Sequence, residues 1–150
     1  MVARWHSHHT AHVGETLSLG WWDEPRGFVA VVVMGRPSAR PLCSPTTWEV
    51  TRLCVGPDAP RFAASRLLGA ASRAAEACGV TRLISYTRAD EAGTCYKAAG
   101  WHVAARVKGR PWTTGEKAAR WLPGLYEPST EVVDRLRWER GAASDPAVSL

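Results

Sequence analysis

The chain has 150 residues, 45% of them hydrophobic and 22% charged, with a formal net charge of +5. That length suits one compact domain, and that balance excludes disorder, collagen and coiled coil. The positive charge favours anionic partners, although the arginines are scattered and alanine is abundant, so a bland basic surface and an anion-binding face both remain open. The longest apolar run, Phe28 to Met34, spans seven residues, where a bilayer needs about 20, so no membrane partner is expected. The start, Met1 to His6, lacks an apolar signal core, which predicts a cytoplasmic location. Cys43, Cys54, Cys78 and Cys95 are too far apart for a CxxC pair and read as reduced thiols.

In chain order, the segment from Trp5 to Gly14 is polar and rich in histidine. Thr16 to Trp22 alternates in part and predicts a half-buried strand. Asp23 to Gly27 is a turn by composition, and Phe28 to Met34 returns as an antiparallel strand buried on both faces. Gly35-Arg36-Pro37 ends it, and a loop follows. Trp48 to Val55 is the next strand, with Trp48, Val50 and, by the same alternation, Arg52 on one face and Glu49, Thr51 and Leu53 on the other. After Gly56-Pro57-Asp58-Ala59-Pro60, the spacing predicts a helix from Arg61 to Cys78, capped by Asp58, with Pro60 in its first turn and Gly79 as its stop. Leu67, Leu68, Ala71, Ala74, Ala75 and Cys78 form its apolar stripe. Leu83 to Thr87 is a strand, Gly93 to Ala99 a short helix closed by Gly100, and Trp101 to Val107 a strand. Residues 108–130 read as irregular, Val132 to Trp138 as the closing strand, and 141–150 as a flexible tail.

The β-α-β unit demands a parallel pair, and the hairpin before it makes the sheet mixed. The predicted class is therefore α/β, with a single mixed sheet flanked by helices in one domain over 1–140.

Two segments carry a family signal. Strand Trp48–Val55, the loop and helix Arg61–Cys78 resemble the coenzyme A-binding core of the GNAT N-acyltransferases. Glu91 to Trp101 contains Tyr96-Lys97-Ala98-Ala99-Gly100-Trp101, which is similar to that superfamily's second signature, a short helix ending in Tyr-x-x-x-Gly and an aromatic residue. With Gly35-Arg36-Pro37, Glu49 to Cys54 and the histidine-rich start, the chain resembles small phage and mobile-element proteins related to the Mom DNA-modification protein of phage Mu. The resemblance runs from Trp5 to about Glu139. It implies a centrally splayed sheet, with strands Trp48–Val55 and Leu83–Thr87 parting to admit a pantetheine arm. Two departures stand out. The usual phosphate loop, Gln/Arg-x-x-Gly-x-Gly/Ala, is replaced by Gly56 to Ser65. The opening strand also looks cut short, through a late start assignment or a missing edge strand.

What the resemblance implies chemically is an acyl-CoA co-substrate, acetyl-CoA first, and an amine acceptor that extends to an exocyclic amine of a DNA base. Arg61, Phe62, Ala63, Ala64, Ser65 and Arg66 at the helix start are the candidates for gripping the pyrophosphate, because helix N-termini expose free N–H groups. An ordinary capped helix with solvated arginines is the bland alternative. Backbone N–H groups of Leu53, Cys54 and Val55 are the candidate oxyanion donors. Tyr96 matches the tyrosine credited in the superfamily with serving the departing thiolate; a ring merely packed on the sheet is its alternative. Glu49 is placed to take a proton from an amine nucleophile, unless it is tied to Arg52 or Arg36 in a structural ion pair. His8, His9, Arg36, Arg52 and Thr87 are the candidate acceptor contacts. His8 and His12 lie four apart, as metal-binding histidines on a helix often do, and likeness to Mom relatives extends that to iron. Trp112 and Trp121, among Lys108, Arg110, Lys117 and Arg120, suit a nucleic-acid or substrate lid. A non-catalytic nucleic-acid-binding protein of the same fold is the competing reading, supported by the missing loop glycines. Monomer and homodimer both remain open.

Overall fold

In the computed structural model the described residues are 15–109 and 132–141. Leu17, Leu19 and Trp21, alternating with polar or small neighbours, build β1 (Glu15–Asp23). β1 pairs antiparallel with β2 (Gly27–Gly35), whose Val29, Ala30, Val32, Val33 and Met34 are at most 3% exposed. β2 is thus buried on both faces, as its unbroken apolar run requires. It pairs antiparallel with β3 (Thr47–Val55). The chain then crosses over through α1 (Ala63–Ala77) to β4 (Arg82–Arg88), which runs parallel to β3. α2 (Thr94–Ala98) leads to β5 (His102–Val107), and β6 (Arg135–Gly141) inserts antiparallel between β4 and β5. The six strands lie in the order β1-β2-β3-β4-β6-β5. This is the mixed α/β sheet the sequence predicts. Residues 1–14, which include the histidines, lie outside the described part, so the expected truncation of the opening strand does too.

Both helices pack on one face of the sheet, here called the helix face. Leu67, Leu68, Ala71 and Ala75 of α1 meet Ala30, Val32, Met34 and Val50. Leu68 is fully buried, and burying such a side chain contributes about 2 kcal/mol. Two predicted details of α1 differ. The helix begins at Ala63, and its N-cap is Phe62 in the left-handed region (φ 66°), with no side-chain cap bond from Asp58. The Ala63 N–H goes instead to the Pro60 carbonyl at 3.1 Å, so Pro60 sits in a turn before the helix. Cys78 is exposed, and Ser72 takes a place in the buried stripe, its hydroxyl bonded to the Leu68 carbonyl at 2.9 Å.

Gly79 does stop the helix. Its N–H reaches the Glu76 carbonyl at 2.9 Å and that of Val80 reaches Ala75 at 3.0 Å, the paired bonds of a Schellman motif. Val80, 5% exposed, thereby closes the apolar face that Cys78 was expected to close. The same motif ends α2, with Gly100 to Lys97 and Trp101 to Tyr96, both at 3.0 Å. Trp101 consequently precedes β5 instead of opening it.

The last strand is shifted by three residues. Val132 is 52% exposed, and the Asp134 carboxylate holds the Gly109 N–H and Arg106, both at 2.9 Å. Asp134 also accepts the Ala89 N–H on its carbonyl at 2.8 Å. Its polar groups are committed to loops, so the ladder starts after it.

Gly93 has φ +58°, and any Cβ there would overlap the Trp138 indole. Gly93→Ala should therefore destabilise the protein by about 3 kcal/mol or more through combined backbone strain and overpacking. Urea unfolding is expected to show a lower midpoint at unchanged slope.

Candidate active site

The β3–β4 ladder has four rungs, from Thr47↔Arg82 to Val50↔Ser85, and then ends. β3 runs on to Val55 and β4 to Arg88 without pairing, so the centre of the sheet opens into a fork. On the β2 side, β3 carries a bulge: Val33 pairs Arg52 and Met34 pairs Val50, leaving Thr51 as the extra residue. The bulge reverses which face the later residues of β3 present.

At the apex of the fork, the Ser85 hydroxyl donates to the Val50 carbonyl at 3.0 Å and lies 2.8 Å from the Tyr96 hydroxyl. Tyr96 belongs to α2 and approaches from the helix face. Its ring stacks on Trp138 (centroids 5.3 Å, 18°) and meets Trp101 edge-on (5.5 Å, 80°). Trp138 is itself held by its N–H to the Thr87 hydroxyl at 3.0 Å. Thr87, expected to touch an acceptor, therefore uses its oxygen inside the protein. Burial pushes the Tyr96 hydroxyl up to about 12, against a smaller opposing effect of the bond to Ser85. It is a protonated hydrogen-bond donor throughout the neutral range.

Register places Glu49, the rung before Val50, on the opposite face, called here the far face. Glu49 is 7% exposed, and its Oε2 accepts the Ser38 N–H at 2.6 Å and the Ser38 hydroxyl at 2.8 Å. The loop after β2 thus fixes the carboxylate, a partner the sequence did not suggest. Arg52 shares that face; its guanidinium donates to the Thr51 carbonyl at 2.6 Å and feels the Glu49 charge. Desolvation lowers its pKa more than those charges raise it. Arg36 is exposed at the end of β2.

Tyr86, not singled out from the sequence, is the first residue of β4 past the last rung, and it too points to the far face. Arg137 of β6 is its rung partner. Burial, aided by the Glu49 charge, raises its pKa, and the Arg137 guanidinium charge works against that rise. Glu139 binds Arg82 through two bonds, 2.7 and 3.1 Å, and approaches Arg137 Nε at 2.8 Å. The alternation of β4 was the available signal: Ile84 is the partner of Glu49, and Tyr86 lies two residues beyond it.

The helix start is only partly as expected. The Phe62 carbonyl, turned by its left-handed backbone, receives both the Arg66 N–H and the Ser65 hydroxyl at 3.0 Å. The N–H groups of Ala64 and Ser65 have no intrahelical partner. Arg61 stacks on the Phe62 ring at 4.7 Å, and Arg66 stacks on Trp21 at 5.1 Å. Ala63, 2% exposed, belongs to the core and does not face a ligand. Ser65 spends its hydroxyl proton on Phe62, so it cannot also donate to phosphate. Of the β3 candidates, Leu53 is half-buried, Cys54 is 2% exposed with its thiol pushed up by burial, and Val55 is exposed.

Between α1 and α2 lies an open cavity of about 430 Å³, lined by Ser65, Arg66, Gly69, Arg73, Ala98, Ala99 and Arg140. Arg140 is anchored by donating to the Ala99 carbonyl. Of these residues the sequence reading had named only Ser65 and Arg66. The spacing of Ser65, Gly69 and Arg73, four apart along one helical row, was the missed signal.

His8, His9, His12, Trp112 and Trp121 lie outside the described residues. Among the described residues, no three His, Cys, Asp or Glu side chains gather as a metal site, and no helix is long and apolar enough to cross a membrane.

A family model described as the Mom protein family matches residues 1–120. No curated protein sequence matches the chain significantly. Among solved structures, the ribosomal-protein-S18-alanine N-acetyltransferase of Escherichia coli is similar at TM-score 0.64 and 14% identity, over 98% of this chain and 87% of that one. The ribosomal-protein-alanine N-acetyltransferase of Brucella melitensis gives 0.61 at 14% identity, over 83% and 68%. A Bacillus subtilis acetyltransferase in complex with CoA gives 0.57 at 14% identity, over 81% and 74%. These likenesses establish the GNAT fold.

Removing the Ser85 hydroxyl leaves the Val50 carbonyl and Tyr96 hydroxyl short of a partner, so Ser85→Ala should cost about 2 kcal/mol in urea unfolding. Tyr96 titrates at about 12 in the folded protein and near 10 when unfolded. Its contribution is therefore whole below pH ~10 and is lost as pH rises through about 12. Tyr96→Phe is expected to lack this alkaline decline when unfolding free energy is measured against pH.

Proposed function

This chain belongs to the Mom protein family, and we propose that it is an acyl-CoA-dependent N-acyltransferase that moves an acyl group, acetyl in the simplest case, onto an amine. The observation that carries this reading is the fork with a buried tyrosine hydroxyl at its apex, in a GNAT fold. A slot between two parted strands suits a thin pantetheine arm, and β3 backbone groups beyond the last rung would meet its thioester.

The residues divide the work by face. On the helix face, the free N–H groups at the start of α1 suit a pyrophosphate. The arginines of the neighbouring cavity, Arg66, Arg73 and Arg140, suit the remaining phosphate of the nucleotide. β3 N–H groups from Leu53 to Val55 would hold the developing oxyanion. Tyr96, whose one proton goes to the Ser85 oxygen at rest, would turn it from Ser85 to the departing sulfur. Full proton transfer from a group titrating at about 12 to a thiolate is uphill, so stabilisation of the leaving charge is the role its chemistry supports. On the far face, Glu49 would receive the proton that the amine loses.

For the acceptor, the family membership and the phage-protein resemblance support an exocyclic amine of a DNA base. Such an amine is far less nucleophilic than an alkyl amine, which puts more weight on proton removal at the far face.

Isothermal titration with acetyl-CoA is expected to give a dissociation constant between about 1 μM and 1 mM. Arg73→Ala with Arg140→Ala should weaken it about tenfold or more, by loss of charge-assisted bonds. Absence of heat and of thermal shift at millimolar ligand would remove the enzyme reading and leave the nucleic-acid-binding one. Tyr96→Phe and Glu49→Gln should each lower turnover about 100-fold while binding persists. Mass analysis of nucleosides from DNA co-expressed with the protein tests the acceptor: acylated nucleosides are expected, and unmodified DNA defeats the base-modification reading.

A further inference from the structure

We propose that Tyr86 is a second catalytic tyrosine, serving the acceptor side of the fork by relaying the acceptor's proton to Glu49. The inference rests on the acyltransferase reading above and assigns a residue and a route to its proton-removal step.

The fork exposes two consecutive β4 residues to opposite faces. Ser85 turns to the helix face, where it binds Tyr96; Tyr86 turns to the far face. Tyr86 is therefore the first side chain that an acceptor meets when it approaches a thioester in the fork from the side opposite the helices. Glu49 cannot reach as far unaided. It lies one rung back, within the paired part of the ladder, with Oε2 saturated by Ser38 and Oε1 without a partner among the described residues. Tyr86 stands two residues past Ile84, the rung partner of Glu49, on the same face of the adjoining strand.

The surroundings of Tyr86 fit a relay. Arg137 is the rung partner of Tyr86 on β6, so its positive charge lies beside the phenol on the far face. Glu139, also on β6, keeps Arg137 in place and is itself held by Arg82 of β4. From β3, Glu49 shares the far face with Tyr86, one diagonal step away, and Arg52 follows Glu49 on that face. Burial and the Glu49 charge both oppose a tyrosinate, so Tyr86 is not a base on its own. In the relay it need not become one. As the amine nitrogen bonds to the thioester carbon, its N–H proton passes to the Tyr86 oxygen while the Tyr86 proton passes to Glu49, directly or through one water. The C–S bond then breaks, the thiolate leaves under the Tyr96 hydrogen bond, and Glu49 returns its proton to solvent.

The test uses the full chain labelled with 3-fluorotyrosine, which ionises at lower pH than tyrosine and keeps the titration within the folded range. The chain has three tyrosines, so Tyr86→Phe assigns the relevant fluorine resonance by its disappearance. Glu49→Gln is expected to move the Tyr86 titration downward by roughly half a pH unit or more, because it removes a facing negative charge, and to leave Tyr96 unmoved. A Tyr86 resonance indifferent to Glu49→Gln overturns the proposal. In parallel, thiol release from acetyl-CoA with water as the smallest acceptor should fall at least about tenfold in Tyr86→Phe, with acetyl-CoA affinity unchanged within about twofold in calorimetry. Unchanged thiol release also overturns it. Wild-type protein that binds no acetyl-CoA defeats the acyltransferase reading instead, and the fluorine titration still decides whether Tyr86 and Glu49 are coupled.

Discussion

The parting of β3 and β4 is the constraint on which the rest of the molecule depends. Two parallel strands that stop pairing in mid-sheet leave backbone donors and acceptors facing a gap, and each such group buried without a partner costs about 1–3 kcal/mol. One hydroxyl handles the critical point. Ser85 satisfies the Val50 carbonyl at the last rung and, with the same oxygen, fixes the Tyr96 hydroxyl. A larger residue would fill the apex, and an apolar one would leave both groups orphaned. The fork thus has a defined floor, and the floor is polar, at the place where a thioester would stop.

α2 is only five residues long and could not hold a tyrosine by its own helical stability. It is locked from outside. Gly93 lets the Trp138 ring pass beneath the helix start, and Gly100 turns the chain so that Trp101 folds back on Tyr96. Trp138 is stacked on the same ring and pinned by Thr87. Tyr96-x-x-x-Gly100-Trp101 is therefore a piece of structural chemistry: a Schellman stop whose apolar contact is made between the tyrosine and the aromatic residue after the glycine. The pattern is short and local, which is why it could be read in the sequence.

The same reasoning explains what was not legible. Hairpin β1–β2, strand β3, helix α1 and its Gly79 stop follow from alternation, helical spacing and glycine punctuation, all visible within a few residues. Phe62 as an N-cap was hidden because a left-handed backbone at a bulky residue contradicts its propensity. Val132 and Val133 look like strand until Asp134 is seen spending its carboxylate on Arg106 and Gly109, contacts that cross 28 and 25 residues. The far face was least visible. Glu139 meets Arg82 across 57 residues, and Ser38 meets Glu49 across 11. The register of a bulged strand decides which of Glu49, Thr51 and Arg52 face together.

The absent phosphate-loop glycines have a physical counterpart. A glycine-rich loop grips phosphate with several backbone N–H groups at close range, whereas Gly56 to Ser65 offers chiefly the free N–H groups of Ala64 and Ser65. Around it the structure gathers charge on side chains: Arg61 and Arg66 are parked on aromatic rings, and Arg73 and Arg140 line an open cavity beside α2. Guanidinium groups on flexible stems act over longer distances and with less directional demand than backbone amides. In an open cavity they are also screened, since the Debye length is about 8 Å at physiological salt. Should these arginines grip a nucleotide, as proposed above, the hold would tolerate sequence change in the loop at the cost of sensitivity to ionic strength. This accounts for how a chain can retain the fork, its polar floor and both helix stops of the GNAT fold while losing the loop by which that fold is most readily recognised.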